Sequence, residues 1–299
     1  MSALLEIRRR VLRHARDGEA VSPLAGLHLA CSTSPGLPAS SIQQPCVALL
    51  VQGAKRTEIG DTTFEFRAGQ ILVIPANLPV ISQVTAASTS VPYLAMAVEL
   101  EPALIAELLS GGSVTLSERD ETSGPAPREA DDALLDALNR LLALIDSPED
   151  VDVLLPMLKR EIGWRLLRGE QGWMTGLIGR MDVQSSQVGA VLRWMREHYA
   201  EPISVGDLAA MTGMSVSTFY RRFRAITAAS PLQYQKQIRL LQARMLLLGG
   251  NTDAVTAAYQ VGYQSQSQFS REYRRLFGVA PMRDVSRNRS LRTARFDIV

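Results

Sequence analysis

Residues Tyr259–Gly278 read YQVGYQSQSQFSREYRRLFG. Gln264 to Gln268 alternate glutamine with serine, Phe269 and Tyr273 follow four apart, and Arg271, Arg274 and Arg275 crowd the end. A solvated helix ordinarily balances Glu against Lys, and an enzyme site needs His, Cys or carboxylates. Small hydrogen-bonding side chains beside clustered arginines suit a polyanion that also presents hydrogen-bonding edges.

The same unit occurs upstream. SVGDLAAMTGMSVSTFYRRFRAITAASP, from Ser204 to Pro231, aligns with NTDAVTAAYQVGYQSQSQFSREYRRLFGVAP, from Asn251 to Pro281. Ala209 and Gly213 match Ala258 and Gly262; Phe219, Arg221, Phe223 and Pro231 match Phe269, Arg271, Tyr273 and Pro281. Each copy reads as a helix-turn-helix. Ser204 and Thr252 stand where an N-cap belongs. Ala209 and Ala258 let two helices approach, and Gly213 and Gly262 supply the positive φ of a sharp turn. The paired aromatics at i and i+4 hold the second helix to its core.

The opposite face of that second helix is then free. In the first unit it carries Ser217, Thr218, Tyr220 and Arg221; in the second, Gln266, Ser267, Gln268, Ser270 and Arg271. Gln suits adenine, Arg suits guanine, and Ser or Thr serves base or phosphate. Arg222, Arg224, Arg274 and Arg275 are placed for phosphates. Between the units, SPLQYQKQIRLLQARMLLLGG reads as one helix of roughly 18 residues, about 27 Å long. Such a strut can set two recognition helices toward adjacent major grooves, about 34 Å apart.

Charge follows the same division. Arg193–Val299 holds 16 Lys+Arg against 7 Asp+Glu, whereas Met1–Leu192 holds 16 against 23. A basic third on an acidic remainder marks a polyanion-binding part, without separating DNA from RNA or a membrane surface. No run is long and apolar enough for a membrane span, and the charged N-terminus lacks a secretory core. The expected location is cytoplasmic. Cys31 and Cys46 lack metal-ligand spacing and read as two thiols in a reducing compartment.

Upstream, MSALLEIRRRVLRHARDGEA reads as an amphipathic helix. CVALLVQG, TTFEFRAG, QILVIPANLPVISQV and PYLAMAVEL are short strands between Gly, Asp and Pro turns, the pattern of an antiparallel sandwich or barrel. Val47, Leu49, Val51, Ile71, Val73, Leu94, Met96 and Val98 alternate as cavity-lining residues would, or as a filled core would. Glu101–Leu109 reads as a short helix. Two helices follow, striped by Leu134, Leu138, Leu141 and Ile145 and by Leu154, Leu158, Ile162 and Leu166, with SPED as cap and turn between them. Their stripes either close the N-terminal domain or pair with a second copy of the chain.

From about Ser185 to Arg289 the chain resembles the AraC/XylS regulators, most specifically in AAYQVGYQSQSQFSREYRRLFGVAP. The segments PCVALLVQGAKRTEIGDTTFEFRAGQILVIPANLPVISQV and PYLAMAVELEPALIAELL resemble the cupin-like N-terminal domain of one AraC-type subfamily, and LLPMLKREIGWRLLRGEQG resembles the helical segment after it. The resemblance implies an α+β chain with three parts. Residues 1–111 form a cupin-like β-barrel that senses an effector. Residues 112–184 form a helical connector, and the leucine stripes of its 131–169 helices offer it as a dimerisation segment. Residues 185–299 form an all-α domain of seven helices in two helix-turn-helix subdomains. Carried over by position, Ser217, Thr218 and Arg221 and then Gln266, Ser267, Gln268 and Arg271 face the DNA. Ser217 is small where some relatives place a bulkier reader. The implied function is sequence-specific regulation from double-stranded promoter DNA, with RNA polymerase as protein partner and no cofactor; the two-part architecture adds a small-molecule effector as an expected partner, and the leucine stripes add a homodimer mate.

An enzymatic alternative has little to stand on. Metal cupins supply two or three histidines and a carboxylate; here the histidines are His14, His28 and His198, none within Cys46–Leu100. A metal site is therefore not expected. Glu58, Asp61 and Glu65 read as turn and strand-surface carboxylates. The remaining alternatives are a regulator without a small ligand, controlled by its own concentration or a protein partner, and a metal-independent cupin enzyme tethered to DNA.

Overall fold

Helix α1 (Ala3–His14) buries Ile7 and Val11 completely against the first sheet. Its last turn is tied to the connector, where Arg10, Arg13 and His14 reach Asp146 at 3.1, 3.3 and 3.0 Å. The computed structural model describes residues 2–111, 124–182, 187–250 and 252–290. Residues 112–123 of the connector expected over 112–184, and the boundary expected at 184/185, lie outside them.

Ten strands follow: β1 (Ala20–Leu24), β2 (Leu27–Ser32), β3 (Ala39–Gln43), β4 (Cys46–Gln52), β5 (Ala54–Ile59), β6 (Thr62–Arg67), β7 (Gln70–Ile74), β8 (Leu78–Ala86), β9 (Tyr93–Glu99) and β10 (Arg128–Glu129). They form two antiparallel sheets, ordered β1-β2-β9-β4-β7-β10 and β3-β8-β5-β6. The two share one core, but among the described residues no ladder joins them, so the expected barrel is open. Closure needs a stagger carried from strand to strand right round the sheet. Here the six-stranded sheet ends on β10, which pairs with β7 over two residues only, and the other ends on β6, which pairs only with β5.

Strand β5 alternates, with Lys55, Thr57 and Ile59 buried and Arg56 and Glu58 exposed. Strand β4 does not: all seven of its residues are buried, because each face has a cover. Helix α1 packs on β2, β4 and β9, and α5 (Gly172–Asp182) on β7. Register groups Val47, Leu49, Ile71, Val73, Leu94, Met96 and Val98 on one face and Cys46, Ala48, Leu50, Ala95 and Ala97 on the other. Buried Cys46 and Lys55 influence one another electrostatically.

The connector helices close this domain. Helix α2 (Pro102–Ser110) packs on α5, and α3 (Asp132–Ala143) on α1 and on α4 (Val151–Arg168). Asp131 caps α3 by accepting from Leu134 N–H at 2.7 Å. SPED makes a 3-10 turn, Pro148–Asp150, but no side-chain cap bond starts α4. In α4 Leu155, Leu158, Ile162, Gly163, Leu166 and Leu167 are buried, while Leu154 is 38% exposed. A strict four-residue repeat drifts by about 40° per step round a helix, so Leu154 falls about 120° from Leu166. Among the described residues, no helix is long and apolar enough to cross a membrane.

Seven helices follow among the described residues: α6 (Gln187–Glu197), α7 (Val205–Met211), α8 (Val216–Thr227), α9 (Pro231–Leu248), α10 (Ala254–Gln260), α11 (Gln266–Phe277) and α12 (Pro281–Ser290).

Candidate nucleic-acid interface

In the first helix-turn-helix Ser204 caps α7, accepting from Asp207 N–H, and Ser215 caps α8, accepting from Thr218 N–H at 3.3 Å. In the second, Asp253 rather than Thr252 caps α10. Its carboxylate stands one residue nearer the helix and accepts from Thr256 N–H at 2.8 Å. Ser265 caps α11. Gly213 and Gly262 sit at φ +62° and +87°. At Gly262 space is also limiting, since a Cβ would stand 2.1 Å from Ala200 O.

Ala209 and Ala258 are buried at each helix crossing. Phe219 and Phe223, like Phe269 and Tyr273, are wholly buried with ring centroids 5.5 Å apart in both pairs. Tyr273 also donates to Asp284 at 2.7 Å, and Arg244 donates to the same carboxylate at 2.7 Å. Burial and this carboxylate both push the Tyr273 phenol well above its ordinary pKa, so it acts only as a donor.

The opposite faces are open. Ser217, Tyr220, Arg221, Arg222 and Arg224 are exposed on α8, with Thr218 half-buried. On α11 Gln266, Ser267, Gln268, Arg271, Arg274 and Arg275 are exposed, with Ser270 half-buried. Among the described residues none of these six arginines is paired with a carboxylate. Their charge is left for an external anion.

Two polar residues outside the expected set shape this surface. Glu272 accepts from Gln268, Lys236 and Tyr263 at 3.2, 3.0 and 2.8 Å, tying a glutamine of the open face to α9. Burial disfavours its charge, but these three donors hold its pKa below the usual range. Arg239 of α9 donates to the carbonyl oxygens of Tyr199, Ala200, Glu201 and Gly262 at 2.6, 3.0, 2.8 and 3.1 Å. One guanidinium thus joins the loop before the first unit to the turn inside the second. The sequence signal was faint: a lone arginine in a strut helix also reads as a solvated residue.

The N-terminal domain touches this region too. The β5–β6 turn is hydrogen-bonded to the end of α8 and the start of α9: Asp61 N–H donates to Ala228 O at 3.0 Å, and Gln233 donates to Asp61 Oδ1 at 2.9 Å. Tyr234 donates to Asn77 O at 3.0 Å, and Arg244 to Ser40 Oγ at 2.9 Å. Between Thr62 and Gly124 on one side and Arg221, Arg224, Ala225 and Ala228 on the other lies a cleft of about 220 Å³. Arg221, Arg224 and Ala225 of α8 and its cap residue Ala228 follow one i, i+3, i+4, i+7 spacing.

Two capped helix-turn-helix units with open basic faces, carried on one strut helix beside a two-sheet domain, define a DNA-binding protein of the double helix-turn-helix class. Residues 23–174 match the family model for the AraC-type transcriptional regulator N-terminus, and residues 208–286 match a helix-turn-helix domain model. The chain belongs to the AraC-type transcriptional regulators. It is 25% identical over 187 residues to the HTH-type transcriptional activator RhaS of Escherichia coli O1:K1 / APEC, a match spanning 61% of this chain and 65% of that one. These relatives are regulators of transcription, not enzymes. In fold the chain resembles ToxT from Vibrio cholerae O395, at 11% identity and TM-score 0.54 over 88% of this chain and 98% of that one. A structure of unsaturated fatty acid bound wild-type ToxT from Vibrio cholerae strain SCE256 is similar at 10% identity and TM-score 0.53, over 87% and 93%.

Proposed function

We propose that this regulator is gated by a small molecule bound in its N-terminal domain. The observation that carries the reading is the hydrogen-bonded seam between that domain and the first recognition helix and strut, through Asp61, Ala228 and Gln233. An effector that prefers one arrangement of this seam shifts the population of DNA-competent molecules. A neighbour of the same fold described as fatty-acid-bound supports a ligand in this kind of domain.

Ser217, Thr218, Tyr220 and Arg221 are assigned to the bases of one half-site, and Gln266, Ser267, Gln268, Ser270 and Arg271 to those of the other. Arg222, Arg224, Arg274 and Arg275 are assigned to phosphates. RNA polymerase is the expected protein partner, no catalysis is assigned, and the working location is the cytoplasm. A homodimer is assigned to α4, where Val153, Leu154 and Met157 leave an apolar patch exposed at 65%, 38% and 62%.

The test is fluorescence anisotropy on DNA upstream of the protein's own gene against a scrambled duplex, with and without candidate effectors. A preference of about a thousandfold or more that an effector alters supports the reading. Specific binding that no effector changes, but that follows protein concentration or a protein partner, supports the ligand-independent alternative.

A further inference from the structure

Gln268 is exposed on α11, but its amide is not free to turn. Its Nε2 donates to Glu272 Oε1 at 3.2 Å, one turn further along the helix. Glu272 is itself held from α9 and from the turn before α11. Lys236 Nζ lies 3.0 Å from its Oε1, and the Tyr263 hydroxyl donates to its Oε2 at 2.8 Å. The Glu272 side chain is only 14% exposed. Burial opposes its ionisation, yet the three donors keep its pKa low, so it is a carboxylate at neutral pH. A carboxylate accepts and never donates. The amide nitrogen of Gln268 therefore faces Glu272, and the amide oxygen is left on the outer side.

The repeat shows that the fold does not require this arrangement. With Phe219 matched to Phe269 and Gly213 to Gly262, Glu272 stands where the first unit has Arg222, Tyr263 where it has Met214, and Gln268 where it has Thr218. There Arg222 reaches Met214 Sδ at 4.0 Å, and Thr218 accepts from Ser215 Oγ at 3.0 Å. A helix-turn-helix thus closes without a carboxylate at this position. On a helix set against a polyanion, a negative charge also weakens sequence-independent attraction. What Glu272 adds is direction.

An unrestrained glutamine amide presents either its oxygen or its nitrogen by a half-turn about its last bond. One way round it matches adenine, accepting from the N6 amino group and donating to N7. Turned over, it offers donors to the two acceptors of guanine, N7 and O6. We propose that Glu272 is a positioning residue that sets base specificity: it holds the Gln268 amide oxygen-outward, so that the second recognition helix reads adenine and rejects guanine at one position of its half-site. This deepens the DNA-binding reading and rests on the assignment of Gln268 to a base. The amide nitrogen keeps a second hydrogen after bonding Glu272, so the two-point contact with adenine stays complete. An amide already held in place also loses less freedom on binding.

The experiment is selection of a randomised duplex library by the full chain, then anisotropy on four duplexes that differ only at the position whose preference Gln268→Ala abolishes. Wild type should favour adenine over guanine there by about tenfold or more. Glu272→Gln keeps the shape but can donate as well as accept, which lets the Gln268 amide turn over. The adenine-to-guanine ratio should then fall to about threefold or less, with the ratios at other positions unchanged. Glu272→Ala should do the same. Circular dichroism melts establish that the variants fold. Folded Glu272 variants that keep the wild-type ratio, or that lose affinity equally on all four duplexes, overturn the proposal, as does a wild-type preference for any base other than adenine at that position. Gln268→Ala separates the proposal from the reading beneath it. If it changes no base preference, the assignment of Gln268 fails and the proposal with it. If it abolishes a preference that both Glu272 variants retain, that assignment stands and only the role of Glu272 is removed.

Discussion

Arg239 of the strut donates to the carbonyl oxygen of Gly262 at 3.1 Å, and its other bonds reach the loop before the first unit. Gly262 stands so close to Ala200 that no Cβ fits between them. The angle between the two helix-turn-helix units is therefore fixed by a planar fork and a close backbone approach, beyond the length of α9 alone.

Arg239→Lys keeps the charge and loses the fork. Carbonyl groups in the half-buried joint are left unsatisfied, which costs about 1–3 kcal/mol for each one not reached by water. The expected outcome is a lowered melting temperature with operator affinity falling more than affinity for an isolated half-site. Equal losses on both DNAs would show that the joint does not set the spacing.

Within the interface, Arg221 and Arg271 are separable from the later arginines. Arg221→Ala and Arg271→Ala are each expected to cost about 1–3 kcal/mol on the operator and to relax preference at one position. Arg274→Ala and Arg275→Ala are expected to weaken all sequences alike and to lower the slope of log K against log salt by about 1 each. Anisotropy on operator, single-mismatch and scrambled duplexes at several salt concentrations distinguishes the two patterns.

What was legible in the sequence divides along local and long-range physics. The repeat announced both helix-turn-helix units because Gly213, Gly262 and the aromatic pairs act within one supersecondary unit. The cap at Asp253 was displaced by one residue from the expected Thr252, since either side chain suits an N-cap and only backbone geometry decides. The two-sheet domain was readable as strands. The side facing its interior was not, because β4 is buried on both faces and carries no alternation. Lys55 and Thr57 did alternate with Arg56 and Glu58, but Lys55 read as one more surface cation. Its burial arises from the second sheet, which local pattern does not contain. Arg239 was hidden for the same reason: all four of its carbonyl partners lie more than twenty residues away.

Buried Lys55 gives the domain a pH dependence. Burial, its main influence, pulls its pKa from 10.5 down to about 7, with Cys46 opposing. Between these values the unfolded chain binds more protons than the folded one, so stability rises with pH from about 7 upward. Cys46 acts in the opposite sense. Burial pushes its thiol from 9.0 up to about 12, with Lys55 lowering and Glu99 raising it, so above about 9 the unfolded state sheds a proton that the folded state retains. Thermal melts from pH 6.5 to 9 are expected to show the wild type gaining stability, and Lys55→Met is expected to flatten that rise. An unchanged slope in the variant would place the titration elsewhere.

The seam offers the most direct handle on gating. Gly60 holds φ +59°, and a Cβ there would stand 2.3 Å from Ala228 O and 2.8 Å from Ala229 N. Neither backbone group can yield without moving the end of α8. Gly60→Ala therefore pushes the β5–β6 turn off the recognition helix, at a cost of about 1–3 kcal/mol in the turn itself. Arg221 and Arg224 wall the cleft beside this turn, so the N-terminal domain approaches the stripe of α8 that is proposed to meet DNA. If the seam holds the protein in a weakly binding arrangement, releasing it raises operator affinity, by up to about tenfold for a shift of 1.4 kcal/mol, and removes the response to effector. Asp61→Ala, which deletes only the bond from Gln233, should move affinity in the same direction by less. Anisotropy on the operator with both variants decides the matter: lower affinity in both would mean that the seam supports the DNA-binding arrangement instead of restraining it.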